Sequence, residues 1–210
     1  MAVHLLIIVI IVIGWNVDVR RAFRFSKMGR LIRNTSKMAI WKVDGVDEYH
    51  LPRTELLQKL EEMLKTEKVI LLSTSAGTGK TTVLDLLKKR SPGTCHYVDL
   101  KIPRIPASDL VKRATNFTFG GSFNCAPEKT AIVILDDAQQ KFTGKINQEF
   151  WSTLVKSKDR LPDNIRFVIS ATHSLRITGF APADLGSLCK LTRNDFLLSP
   201  AEVYALLDFN

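Results

Sequence analysis

The stretch Val69-Ile70-Leu71-Leu72-Ser73-Thr74-Ser75-Ala76-Gly77-Thr78-Gly79-Lys80-Thr81-Thr82-Val83-Leu84-Asp85-Leu86-Leu87-Lys88-Lys89-Arg90 decides how the whole chain is read. The apolar run before the glycines predicts a strand, and the leucines among basic residues after them predict a helix. A loop fixed between a strand end and a helix start turns its backbone N–H groups inward, with the positive end of the helix behind them. Phosphate needs that arrangement. Gly77 and Gly79 can take backbone shapes closed to other residues and let the chain approach an anion closely. The candidate phosphate-binding residues are therefore Ser75, Ala76, Gly77, Thr78, Gly79, Lys80, Thr81 and Thr82. Lys80 is expected to reach the β- and γ-phosphates, and the Thr81 hydroxyl to ligate Mg²⁺. One position departs from the full G-x-x-x-x-G-K-[ST] pattern, because Thr74 stands where the first glycine belongs. A small residue fits there if its backbone angles are ordinary.

A second informative run is Ala131-Ile132-Val133-Ile134-Leu135-Asp136-Asp137. Branched and large apolar residues leading into acids match a strand buried on both faces whose C-terminal end carries carboxylates. Beside a phosphate loop, the first acid holds the Mg²⁺ shell, which assigns Asp136. Asp137 follows it, where an acid can polarise the attacking water. Lys80, Asp136 and Asp137 are the candidate catalytic residues, and Thr81 and Asp136 the candidate metal residues. A third apolar run, Ile165 to Ala171, ends in Thr172 and His173. Strand ends in open α/β sheets face the ligand crevice, so Ser170, Thr172 or His173 could sense the γ-phosphate there.

The remaining segments are consistent with a single α/β domain. Leu56, Leu57, Leu60, Met63 and Leu64 recur at helical spacing, with Pro52 near the helix start. Cys95 to Leu100 reads as a strand, and Ser108 to Thr115 as a modest helix within a connection rich in Pro, Gly, Ser and Asn. Phe150, Trp151, Leu154 and Val155 share a helix face and read as core rather than as a base-stacking platform. Ser199, Pro200 and Glu202 form a capping box that announces a last helix. Lys156-Ser157-Lys158-Asp159 lacks the Asn-Lys-x-Asp form that reads guanine, so ATP is preferred over GTP. Cys95, Cys125 and Cys189 are scattered, and neither a disulfide framework nor a zinc site is indicated.

The formal net charge of +9 is unevenly placed. Residues 1–43 hold eight Lys/Arg against Asp18 alone, leaving 22 Lys/Arg against 20 Asp/Glu over residues 44–210. A nucleic-acid footprint is not supported for that larger part. Residues 1–15 form an apolar segment, Val3 to Trp15, that is short for a bilayer span. It is read as a membrane anchor or interfacial tether that leaves the rest of the chain facing the cytosol, as a cleaved signal, or as a mispredicted start. In the last two cases the protein is an intracellular or secreted effector. Residues 16–47 read as a basic linker and residues 48–210 as the folded domain, its closing lid truncated.

With these residues quoted, the chain resembles the P-loop NTPases of the AAA+ and STAND group. The resemblance implies a three-layer α/β fold with a mainly parallel five-stranded sheet in the order 5-1-4-3-2, here with an N-terminal apolar helix added. Leu135-Asp136-Asp137 is more similar to the STAND pattern than to the Asp-Glu of AAA+ motors. Tyr49-x-x-x-Arg53-x-Glu55-Leu56 resembles the STAND segment that precedes the phosphate loop, which places Arg53 near the adenine. Val69 to Leu87, the Asp-Asp strand, Leu161 to Thr172 and Phe196 to Ser199 resemble the NTPase module of Crinkler-type and retrotransposon-hot-spot proteins. The resemblance implies ATP, Mg²⁺ and hydrolysis or an ATP-driven switch. The alternative is a non-catalytic nucleotide-binding or scaffold module.

Overall fold

A computed structural model describes residues 41–43, 46–48, 51–119, 129–172 and 183–207. His173 and the apolar Val3–Trp15 segment, expected to be a helix, lie outside them. Among the described residues no helix is long and apolar enough to cross a membrane. The chain divides into two compact units, one of residues 54–196 and one of residues 1–53 with 197–210.

In the larger unit the elements follow the sequence patterns closely. Helix α1 (Thr54–Thr66) buries Leu56, Leu57, Leu60 and Leu64 along one stripe. Strand β3 (Val69–Thr74) leads through the glycine loop into α2 (Lys80–Arg90). There follow β4 (Cys95–Asp99), α3 (Ala107–Thr115), β5 (Ala131–Asp136), the single turn α4 (Gln139–Phe142), α5 (Lys145–Lys156), β6 (Ile165–Thr172) and β7 (Cys189–Thr192). The sheet order is β4-β5-β6-β3-β7, and every pairing is parallel. Numbered within this sheet from the phosphate-loop strand, the order is 2-3-4-1-5, the expected 5-1-4-3-2 read from the other edge. The sheet is wholly parallel where a mainly parallel one was expected, and its fifth strand, β7, is a short stretch that carried no strand signal of its own.

Alternation along the strands explains the three layers, since successive side chains point to opposite faces. Ile70, Leu72, Ile132, Ile134 and Val168 meet α1 and α2 on one face. Leu71, Val133, Leu135, Phe167 and Ile169 meet α3 and α5 on the other. All six residues of β5 are buried, as a strand covered on both faces requires. Trp151 is fully buried in the second layer, and its indole N–H donates to the Lys141 carbonyl at 2.9 Å. Phe150 is buried beside it. The side chain of Asn147, also buried, accepts from the Ala107 N–H at 2.9 Å and so caps the start of α3 from α5.

The smaller unit contains a hairpin of β1 (Trp41–Val43) and β2 (Val46–Glu48), paired antiparallel. It lies at the end of the stretch read as a basic linker, which carried no strand periodicity. The same unit holds α6 (Pro200–Leu207). Its capping box is formed as the sequence predicts: the Ser199 N–H donates to Glu202 Oε2 at 2.8 Å, and the Glu202 N–H to Ser199 Oγ at 3.3 Å.

Candidate functional site

Because the sheet is parallel, β3, β5 and β6 end together, and the polar residues predicted from the sequence collect at one edge. Thr74 pairs in register with Thr172, and Asp99 with Asp136. Between β3 and α2 the loop turns through two left-handed glycines, Gly77 at φ +77° and Gly79 at φ +83°. A Cβ at either would meet nothing within 4 Å, so backbone shape alone demands glycine there. Gly79 is also the N-cap of α2 and brings no side-chain hydrogen bond to it, nor is there an acid in the first turn. The amides at this helix start are thus left to an anion.

The loop is tied by its own hydroxyls. Thr74, at the position where glycine is usual, is a buried strand residue with ordinary angles, and its hydroxyl pairs with that of Thr78. The Thr78 hydroxyl also reaches the Ser75 carbonyl at 3.0 Å. The Lys80 ammonium donates to the Ser75 carbonyl at 2.8 Å and the Thr74 carbonyl at 3.2 Å. Burial lowers the Lys80 pKa from the ordinary lysine value, while the Asp136 and Asp137 carboxylates act against that shift.

Across from the loop, the buried Asp136 binds it directly: the Thr81 hydroxyl donates to Asp136 Oδ2 at 3.1 Å. The same oxygen accepts from the Tyr97 phenol, and Oδ1 accepts from the Asp137 N–H at 2.9 Å. Asp137 has a left-handed backbone, φ +55°. Burial pushes its pKa up, but the Lys101 ammonium at 2.8 Å and the Gln139 amide at 2.6 Å outweigh burial and hold the carboxyl below its usual range. Gln139 continues to β6, where its Oε1 accepts from the Thr172 N–H at 3.3 Å. Ser170 is buried on the same strand, and its carbonyl accepts from the Ala138 N–H at 2.9 Å.

The structure thus brings Ser75 to Thr82, Asp136, Asp137, Ser170 and Thr172 to one end of the sheet. Arg53, the expected neighbour of the base, belongs to the other compact unit, where it is buried and its guanidinium lies 3.4 Å from Glu202. Tyr97, Lys101 and Gln139 were missed by the sequence reading. Tyr97 lies two residues before Asp99, the register partner of Asp136, a placement that only the pairing of β4 with β5 reveals. Lys101 sits in a turn and Gln139 opens the four-residue α4, and neither stretch is long enough to show a periodicity that marks them.

No protein-family model matches the chain, and no curated protein matches it in sequence. Among solved structures, the Walker-type ATPase PABY2304 of Pyrococcus abyssi is similar, with a TM-score of 0.53 and 17% identity over 80% of this chain and 59% of that one. The Aeropyrum pernix ORC1 protein, solved in complex with DNA, has a TM-score of 0.51 and 17% identity over 79% of this chain and 50% of that one. The chain therefore spans between half and three fifths of the length of these neighbours. At such identity the likeness concerns the fold alone, three layers around a five-stranded parallel sheet in an order consistent with that of P-loop NTPases.

Proposed function

We propose that the chain is an ATP-binding P-loop module that hydrolyses ATP with Mg²⁺ or switches conformation on binding it. The observation that carries this reading is the Thr81 hydroxyl 3.1 Å from the Asp136 carboxylate, beside the Lys80 ammonium and two left-handed glycines. Hydroxyl and carboxylate are the hard oxygen donors that suit Mg²⁺, which takes one or two protein ligands and completes its shell with phosphates and water. When bound, Mg²⁺ supplies neutralisation of the phosphate charge. The chain's own part is positional. Loop amides and the α2 N-terminus hold the phosphates, Lys80 leaves the Ser75 and Thr74 carbonyls for phosphate oxygens, and Asp136 orients the metal's shell. Asp137 would position the attacking water after parting from Lys101. The Asp-Asp pair and the run from Leu161 to Thr172 favour the STAND and Crinkler-type branch within the larger group.

A second reading, a module that binds nucleotide without turnover, is favoured by one observation: both Asp137 oxygens are engaged, by Lys101 and by Gln139. Titrating the protein with ATP and GTP, with and without Mg²⁺, beside an assay of phosphate release, separates the two. Tighter binding of ATP than GTP, loss of about ten- to a hundredfold in affinity for Lys80→Ala, and Mg²⁺-dependent phosphate release are expected. Binding unchanged in Lys80→Ala overturns the nucleotide reading. Binding without release selects the second.

A further inference from the structure

Tyr97 belongs to none of the motifs, yet its phenol reaches the carboxylate at the centre of the site. In β4 and β5 the register sets Cys95 beside Ile132, Tyr97 beside Ile134 and Asp99 beside Asp136. Cys95, Tyr97, Ile132 and Ile134 pack in the apolar cluster under α2, so this column of side chains faces that helix. Tyr97 is half-buried there, with the Lys88 ammonium 5.9 Å from its ring centroid. A tyrosine has only two soft torsions, so a ring wedged between helix and sheet fixes the place of its hydroxyl. That hydroxyl reaches diagonally to Asp136 Oδ2, the oxygen that also accepts from Thr81. Oδ1 meanwhile takes the Asp137 N–H.

We propose that Tyr97 is a positioning residue for the metal–nucleotide complex, acting through Asp136. The inference rests on the nucleotide reading above. A carboxylate oxygen offers about two acceptor sites, and here both sites of Oδ2 are met by side chains. The two donors differ in what a bound nucleotide asks of them. Thr81 has to turn its hydroxyl oxygen toward the cation, whereas Tyr97 has no other task and keeps its bond to Asp136. The phenol therefore holds the carboxylate in one rotamer when the Thr81 donor is withdrawn. It also comes from a strand that contributes nothing to the phosphate loop, so it constrains the acid independently of how the loop moves.

The test measures ATP affinity of the full chain over a Mg²⁺ series that starts in chelator, for the wild type, Tyr97→Phe, Asp136→Asn and the double variant. Tyr97→Phe removes one oxygen and leaves the ring in its packing. Its chelator affinity for ATP is expected to equal that of the wild type, while the Mg²⁺ concentration giving half the effect rises about tenfold, as for loss of an outer partner of a metal ligand. In the Asp136→Asn background the same change is expected to add nothing, because the partner through which Tyr97 acts is gone. A Mg²⁺ dependence unchanged in Tyr97→Phe overturns the inference and leaves the nucleotide reading standing. An equal shift in the Asp136→Asn background overturns it, as does loss of chelator affinity in Tyr97→Phe, which would make Tyr97 a packing residue. If the wild type binds no ATP at any Mg²⁺ concentration, the nucleotide reading fails and this one with it; if it binds ATP but ignores Mg²⁺, this one alone fails.

Discussion

A single side chain can turn a departure from a motif into a working part of a loop, and Thr74 does so here. Its strand angles need no glycine, and its hydroxyl pairs with that of Thr78, so the loop is tied across its own span. Cys95 gives the residue scale its measurable prediction. On β4, below Tyr97, burial pushes its thiol up to about 11 from the ordinary 9.0, against the smaller pull of Lys88. Two units in pKa mean about a hundredfold less thiolate near pH 8, and the thiolate is the reactive form. With Cys125 and Cys189 replaced by Ser, the folded protein should alkylate at Cys95 about a hundredfold more slowly than the same chain in urea. The raised pKa also fixes a sign: this group's contribution to stability is fully present below pH 9 and is lost as pH rises through about 11. Alkylation at equal rates in both states would show that Cys95 is not held in this environment.

At the scale of elements, what the sequence made legible was periodicity and what it concealed was contact. Helices α1, α3, α5 and α6 and strands β3, β4, β5 and β6 follow from spacing, caps and apolar runs, and the site residues on their ends were placed by the parallel sheet. Strand β7 and the β1–β2 hairpin escaped because stretches of three or four residues are too short to show a period. Tyr97, Lys101 and Gln139 escaped because their role lies in contacts with Asp136, Asp137 and Thr172 that only the folded chain creates. The strand–loop–helix element, by contrast, was readable through its glycines, and it offers a controlled test. Gly79 and Gly93 have nearly the same φ, +83° and +80°, and each would give an added Cβ open space. Alanine at either should therefore cost about 1–2 kcal/mol through left-handed strain alone. Urea unfolding is expected to report similar losses for Gly79→Ala and Gly93→Ala, while ATP affinity falls only for Gly79→Ala. A Gly79→Ala protein with unchanged affinity would mean that the loop's curvature does not shape the phosphate cradle.

Across the larger unit, stability and site are linked by the order of the sheet. Strands β5, β6 and β3 are hydrogen-bonded on both sides and buried on both faces, whereas β4 and β7 are edges. Amides of a central strand are freed only when the sheet comes apart, but an edge amide can exchange through local opening. If local opening lies about 3 kcal/mol below the global transition, central amides should exchange roughly a hundredfold more slowly than those of β7. The candidate site hangs on the ends of these same central strands, so a ligand bound there has to leave before they can separate. ATP with Mg²⁺ at a hundred times its dissociation constant stabilises the folded state by about 2.7 kcal/mol, which slows globally exchanging amides by about a further hundredfold. Hydrogen exchange followed with and without nucleotide should thus show that extra protection evenly along β3, β5 and β6, and little of it in β7, which contributes nothing to the site. Protection that rose equally in β7 would mean that this edge, too, opens only with the whole sheet. Protection confined to the α2 N-terminus would mean that bound nucleotide restrains the loop alone, with no hold on Asp136 at the end of β5.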